Sequence, residues 1–264
     1  VPARGSQRRR DEIVRLATTS GLASVDELSQ TLGSTASTIR RDLAVLTAEG
    51  RLARTYGGAM ALSAHPEAPL RQRVGEAFAA KRAIARAAAA EIRPGETVLL
   101  DAGSTVGALA HELRSSPGLT AVTVGLTALQ ELAEAEGVTV HCLGGTLRPL
   151  SEGFVGPLAE ASLERVTFDR AFLGADGVDV EGLCEADHVQ TRLKELMARR
   201  ATDVYVLAHG AKLGRRPFHA WARLEPGWTL ITDASADPAQ IERLRGSGVT
   251  VMVADAAEGV GSSA

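Results

Sequence analysis

The sequence predicts an α/β protein in two parts. An N-terminal winged helix-turn-helix, three helices plus a β-hairpin, is joined to a Rossmann-like, mainly parallel α/β domain. Three observations predict it. Residues 1–60 carry three short helix-periodic segments followed by an alternating segment and a Gly-Gly turn. Residues 61–70 are a Pro/Ala-rich break. Beyond that break, apolar strand-like runs alternate with helical segments, the pattern of a parallel sheet covered on both faces. The divisions follow: 1–60 head, 61–74 linker, 75–264 body.

In the head, Ile13, Leu16 and Ala17 fall at helical intervals, and Thr18-Thr19-Ser20-Gly21 stops that helix. Ser24, with Glu27 three residues on, is a capping box for a second helix through Val25, Leu28 and Leu32 that ends at Gly33. Ser34 or Thr35 caps a third, whose apolar face is Ile39, Leu43 and Leu46. Glu49-Gly50 closes it. Arg51 to Tyr56 alternates as a strand, and Gly57-Gly58 turns it.

In the body, a long Ala-rich helix is expected from Gly75 to Ile92, stopped by Pro94-Gly95. Strand-like runs lie at 97–100, 121–124, 138–143, 170–173, 204–207, 229–231 and 249–253. Helical segments lie at 105–113, 127–134, 158–165, 189–200 and 238–244.

Composition excludes several classes. A 45% hydrophobic and 23% charged chain of 264 residues is globular. No apolar run is long enough to span a membrane, and the basic, polar start lacks a signal-peptide core. Cys142 and Cys184 are too few for a disulfide framework, so a cytoplasmic location is expected. The six histidines show no metal-ligand spacing, and neither metal nor cofactor is expected. Net charge is −3, yet residues 1–60 hold nine arginines against six acids. A basic head on an acidic body fits a nucleic-acid module attached to a small-molecule domain.

The third helix would enter the DNA major groove, presenting Ser37, Thr38, Arg40 and Arg41, while Arg54 and Tyr56 on the wing reach the backbone or minor groove. Read alone, the arginine pair also fits a solvated surface. In the body, Asp101-Ala102-Gly103-Ser104-Thr105 follows a strand and opens a helix, whose free N–H groups suit a phosphate. The same residues also fit an ordinary N-cap. Gly144-Gly145 with Arg148, and Gly174-Ala175-Asp176-Gly177, follow other strands and share that sheet edge. Arg148 could pair with phosphate, and Asp101 and Asp176 could accept sugar hydroxyls or merely cap turns. Lys212 is one of three lysines beside 26 arginines. It serves a phosphate or a carbonyl, or is a solvated loop lysine.

These residues carry a resemblance. Ser37-Thr38-Ile39-Arg40-Arg41-Asp42-Leu43, Leu46, Glu49-Gly50, Leu52, Arg54 and Tyr56-Gly57-Gly58-Ala59 resemble the signature of the DeoR family of bacterial transcriptional regulators. The body matches through Lys81 with Ile84-Ala85, the 101–105 string, Gly144-Gly145 with Arg148, Gly174-Ala175-Asp176-Gly177-Val178, Gly182-Leu183, Lys194 and Lys212. Departures are Ser34-Thr35-Ala36, Tyr56, Val124-Gly125 and His209. The resemblance implies a repressor of carbohydrate-metabolism genes, acting as a homodimer or homotetramer on double-stranded operator DNA. It implies control by a phosphorylated sugar or related metabolite, bound in a domain similar to ribose-5-phosphate isomerase. The ligand residues it points to are Asp101, Gly103, Ser104, Thr105, Gly145, Arg148, Asp176 and Lys212. The alternative is an isomerase-like enzyme. Against it, Gly177 stands where those isomerases carry Glu, and a sensing role without catalysis is expected.

Overall fold

The computed structural model describes residues 4–20, 23–48, 52–55, 58–61 and 67–255. The chain divides into two compact units, Val1–Glu67 with Arg215–His219, and Ala68–Gly214 with Ala220–Ala264.

The first unit holds α1 (Arg4–Ser20), β1 (Ala23–Ser24), α2 (Val25–Thr31), α3 (Ala36–Ala48), β2 (Leu52–Thr55) and β3 (Gly58–Ala61). Ser24 and Glu27 make the expected capping box at α2. Gly33, at φ +56°, takes the left-handed conformation that lets the chain leave that helix. Ile13, Leu28, Ile39, Leu43 and Leu46 bury together as a core of their own. β2 and β3 form the antiparallel wing, and β1 adds a short third strand that the sequence pattern did not announce. Arg9 Nε donates to Asp42 Oδ2 at 2.6 Å, tying α1 to α3.

The second unit opens with α4 (Leu70–Gly75) and α5 (Phe78–Ala90). Here the structure departs from the expected linker of 61–74, because α4 lies inside it, while the helix expected over 75–92 is present as α5. Leu70 is buried, so the chain is already docked there. Ala77 adopts φ +50° and breaks one helix from the next. There follow β4 (Thr97–Leu100), α6 (Ser104–Glu112), β5 (Thr120–Thr123), α7 (Leu126–Leu132) and β6 (Thr139–Cys142). Next come β7 (Thr146–Arg148), β8 (Gly153–Val155), α8 (Pro157–Leu163), β9 (Phe168–Leu173), β10 (Gly177–Asp179) and β11 (Gly182–Glu185). α9 (His188–Arg199), β12 (Ala201–Leu207), β13 (Ala220–Ala222), β14 (Thr229–Asp233), α10 (Pro238–Gly246) and β15 (Thr250–Ala254) complete it.

Seven strands form one sheet in the order β15-β14-β12-β9-β4-β5-β6, and every pairing in it is parallel. Strand alternation sorts the core into two layers. Leu99, Val122, Ala171 and Val206 face one side, whereas Val98, Leu100, Phe172 and Leu207 face the other. The first layer is closed by residues of α8, α9 and α10, the second by α5, α6 and α7. β7 pairs with β8, and β10, β11 and β13 form a second antiparallel sheet. The strand order runs outward in both directions from neighbouring β4 and β9. Their C-terminal ends therefore bound a topological switch point, where open α/β sheets bind ligands.

Candidate functional site

On α3, Ser37, Arg40 and Arg41 are exposed, while Ile39, Asp42 and Leu43 are buried. This face is free to meet a groove because the helix spends its other face on the head core. Thr38 is half-buried; its N–H donates to Thr35 Oγ1 at 3.3 Å, and the two hydroxyls lie 2.9 Å apart. Thr35, rather than Ser34, thus caps the helix. Arg54 lies on β2, but its side chain is outside the described residues, as is Tyr56 altogether.

The body site forms where β4 and β9 end. Gly103, at φ +129°, is the N-cap of α6, a conformation that glycine tolerates and other residues rarely adopt. A Cβ there would meet nothing within 4 Å, so the backbone conformation rather than crowding calls for glycine. Ser104 begins the helix, and Thr105 is buried in its first turn. Ser104 and Lys81 line a cavity of about 310 Å³ together with Val74, Gly107 and Thr127.

Asp101 is turned inward, against the expectation that it meets a sugar hydroxyl. It is 3% exposed, and both oxygens are occupied. Oδ1 accepts from Ala102 N at 2.8 Å, and Oδ2 accepts from Gly174 N at 2.9 Å and pairs with Lys194. Lys194, 2% exposed, also donates to Gly174 O at 2.9 Å and meets Glu185 Oε1 at 3.1 Å. Burial works against the Lys194 ammonium, but Asp101 and Glu185 hold its pKa above the usual lysine value. Burial pushes the Glu185 carboxyl up, Lys194 opposes, and Asp176 and Asp101 add to the rise. This triad ties together the ends of β4 and β9, β11 and α9.

Asp176, in the loop after β9, pairs with Arg73 of α4 at 3.1 Å, and its second oxygen is buried without a partner. Lys212 donates to Ala175 O in the same loop. Lys81 donates to Arg73 O. Burial pulls Lys81 down to about 8, with Lys212 and Arg73 adding and Glu76 opposing. Burial also lowers Lys212, against the pull of Asp176 and with the help of Arg73. Arg73, Lys81 and Lys212 therefore face one another closely enough to repel. Arg73 lay inside the expected linker, and Lys81 was matched only as part of a motif. Their signal was spacing across a helix break that sequence periodicity hid.

Gly145, at φ +117°, approaches the Val155 carbonyl so closely that a Cβ would lie 2.7 Å from it. It shapes the β7–β8 hairpin rather than offering a side chain. Arg148, on that hairpin, pairs through Nε with Asp187 Oδ2 at 3.2 Å, the residue that caps α9. Gly153 of the same hairpin packs on Ala102, where a Cβ would come within 2.8 Å of the alanine methyl. The hairpin thus borders the 101–105 turn, with Arg148 already engaged by a carboxylate.

Two family models match the chain: a DeoR-like helix-turn-helix domain over residues 9–65, and a DeoR C-terminal sensor domain over residues 76–234. The HTH-type transcriptional regulator GlpR of Haloferax volcanii is 38% identical over 246 residues, 92% of this chain and 96% of its own. A lactose phosphotransferase system repressor of Streptococcus mutans is 29% identical over 235 residues, 88% of this chain and 93% of its own. A ribose 5-phosphate isomerase from Methanocaldococcus jannaschii overlaps half of this chain and 52% of its own, at 18% identity and a TM-score of 0.37. That overlap is too partial to lend its activity. The head with its exposed α3 face, the parallel-sheet body and both matched models place this chain in the DeoR family of DNA-binding transcriptional regulators.

Proposed function

We propose that the chain is a repressor of carbohydrate genes whose body binds a phosphorylated sugar or related metabolite, and that this ligand weakens operator binding. The observation that carries the reading is the grouping of Arg73, Lys81 and Lys212 around the loop after β9, with Lys81 also lining the cavity that Ser104 of α6 borders. An anion relieves both the repulsion among these cations and the unpaired amides of α6. Gly103, Ser104 and Thr105 cradle the phosphate, Lys212 and Lys81 neutralise it, and the open oxygen of Asp176 accepts a hydroxyl. Asp101 contributes by holding Gly174 and Lys194, and Gly145 and Arg148 by building the bordering hairpin. On DNA, Arg40 and Arg41 read base edges or phosphates, with Ser37, Thr38, Arg54 and Tyr56 beside them.

The lactose phosphotransferase relative supports the carbohydrate reading. Sensing is favoured over turnover because Asp101 and Glu185 are both committed to Lys194, which leaves them no freedom as bases. Work on operators implies a dimer or tetramer, since two half-sites give useful affinity, and a location with the DNA in the cytoplasm. The test is fluorescence anisotropy on DNA from upstream of the gene, at fixed salt, with sugar phosphates titrated in. Competitor-resistant binding that one sugar phosphate weakens is expected. Specific binding that no phosphorylated compound alters would overturn the effector assignment.

A further inference from the structure

The pocket and the linker meet in one short helix. α4 is the first element of the second unit and follows β3 of the first in chain order. Its anchors to the body run to Leu150, Asp176 and Lys81. Leu70 is buried, and its N–H donates to Leu150 O at 2.9 Å. Arg73 Nη2 donates to the same carbonyl at 3.3 Å, and Nη1 pairs with Asp176 Oδ1 at 3.1 Å. Lys81 donates to the Arg73 carbonyl. The guanidinium that pins α4 is therefore held by Asp176, whose charge also acts on Lys212.

We propose that Arg73 is the positioning residue that carries ligand occupancy to the linker. This rests on the reading of the pocket as an anion site. In the free body, Arg73 sits on Asp176 and fastens α4. An anion held by Lys81, Lys212 and the α6 N-terminus competes for that guanidinium, because a forked donor binds phosphate as well as carboxylate. It also draws on the Lys81 ammonium, which otherwise ties down the Arg73 carbonyl. Two of the polar anchors of α4 are thus exchanged for ligand contacts, and the helix loosens at its body-facing side. The ligand acts by differential contacts in two states, as coupling requires. Leu70 stays buried in both states, so α4 shifts without undocking.

The test uses the full chain with inorganic phosphate as probe and chloride at matched ionic strength as control. Calorimetry reads binding, and hydrogen–deuterium exchange reads the amides of residues 70–75. In the wild type, saturating phosphate should speed exchange there by on the order of fivefold or more. In Arg73→Gln, basal exchange should already be fast. Phosphate should still bind through the lysines and the turn, and exchange should no longer respond. Arg73→Lys, which keeps the charge but not the fork, should retain folding and lose most of the response. Bound phosphate that leaves wild-type exchange unchanged overturns the coupling and spares the site. An undiminished response in Arg73→Gln overturns it equally. Failure of phosphate to bind the wild type at all overturns the anion site itself, and the coupling with it.

Discussion

At the scale of single residues, the three lysines do two different jobs. Lys194 is structural. It is sealed between Asp101 and Glu185, so its loss leaves two buried carboxylates without a counter-charge. Lys194→Met should cost ~3–5 kcal/mol of stability in chemical denaturation at pH 7. The sign with pH is fixed. Unpaired buried carboxylates have raised pKa values, so the folded variant binds more protons than the unfolded one. Its deficit against the wild type should therefore shrink as pH falls toward 4. Lys81 is instead poised to respond. Its pKa lies near 8 in the free body, and a bound phosphate dianion would draw it back up. Binding should take up protons above pH 8, and affinity for a phosphate monoester should fall as pH rises through about 8. Calorimetry in buffers of different ionisation enthalpy measures that uptake, which Lys81→Gln should abolish. The sequence carried the identities of these residues but not their roles. Asp101 and Asp176 look alike in their glycine-rich strings, yet the first faces Lys194 and the second faces Arg73. Which side a loop carboxylate takes depends on its partners from α4 and α9, far away in sequence.

At the scale of elements, the strands of the main sheet were legible because each carries β-branched or other apolar residues between turn or helix signals. All seven strands of the main sheet fall on runs visible in the sequence. The antiparallel pieces were not. In β11 all four residues, Gly182-Leu183-Cys184-Glu185, are buried, so no alternation marks it. β7 and β8 are three residues each, too short for a period to be read. α4 was missed because its helical phase is broken by Ala77 before α5 begins. α3 was legible throughout, since Ile39, Leu43 and Leu46 recur at helical spacing and bury as that spacing requires. That burial makes the opposite face testable. Arg40→Ala with Arg41→Ala removes two exposed side chains and no core contact. Thermal unfolding should stay within about 0.5 kcal/mol of the wild type. Specific operator binding should be lost, and the dependence of residual DNA affinity on salt should flatten. Unchanged operator affinity would remove α3 from the interface.

At the scale of the whole molecule, the two units keep separate cores. The head buries Ile13, Leu28, Ile39, Leu43 and Leu46 among themselves, and the body packs its two layers on its own sheet. The sites follow the cores: the α3 face belongs to the first unit, and Arg73, Lys81, Asp176, Lys212 and the α6 N-terminus all belong to the second. Binding of ligand and of DNA should therefore be separable, with only their coupling requiring the intact chain. A chain lacking residues 1–60 should unfold cooperatively and bind a phosphomonoester with an affinity within about threefold of the intact protein without DNA, since reciprocal coupling is expressed only when both partners are present. It should show no specific operator binding by anisotropy. The intact chain with operator bound should instead bind the phosphomonoester more weakly, by the same factor by which the ligand weakens operator binding. Equal ligand affinity with and without operator would mean that the pocket does not control the head. DNA binding by the truncated chain would mean that the head is not where the operator is read.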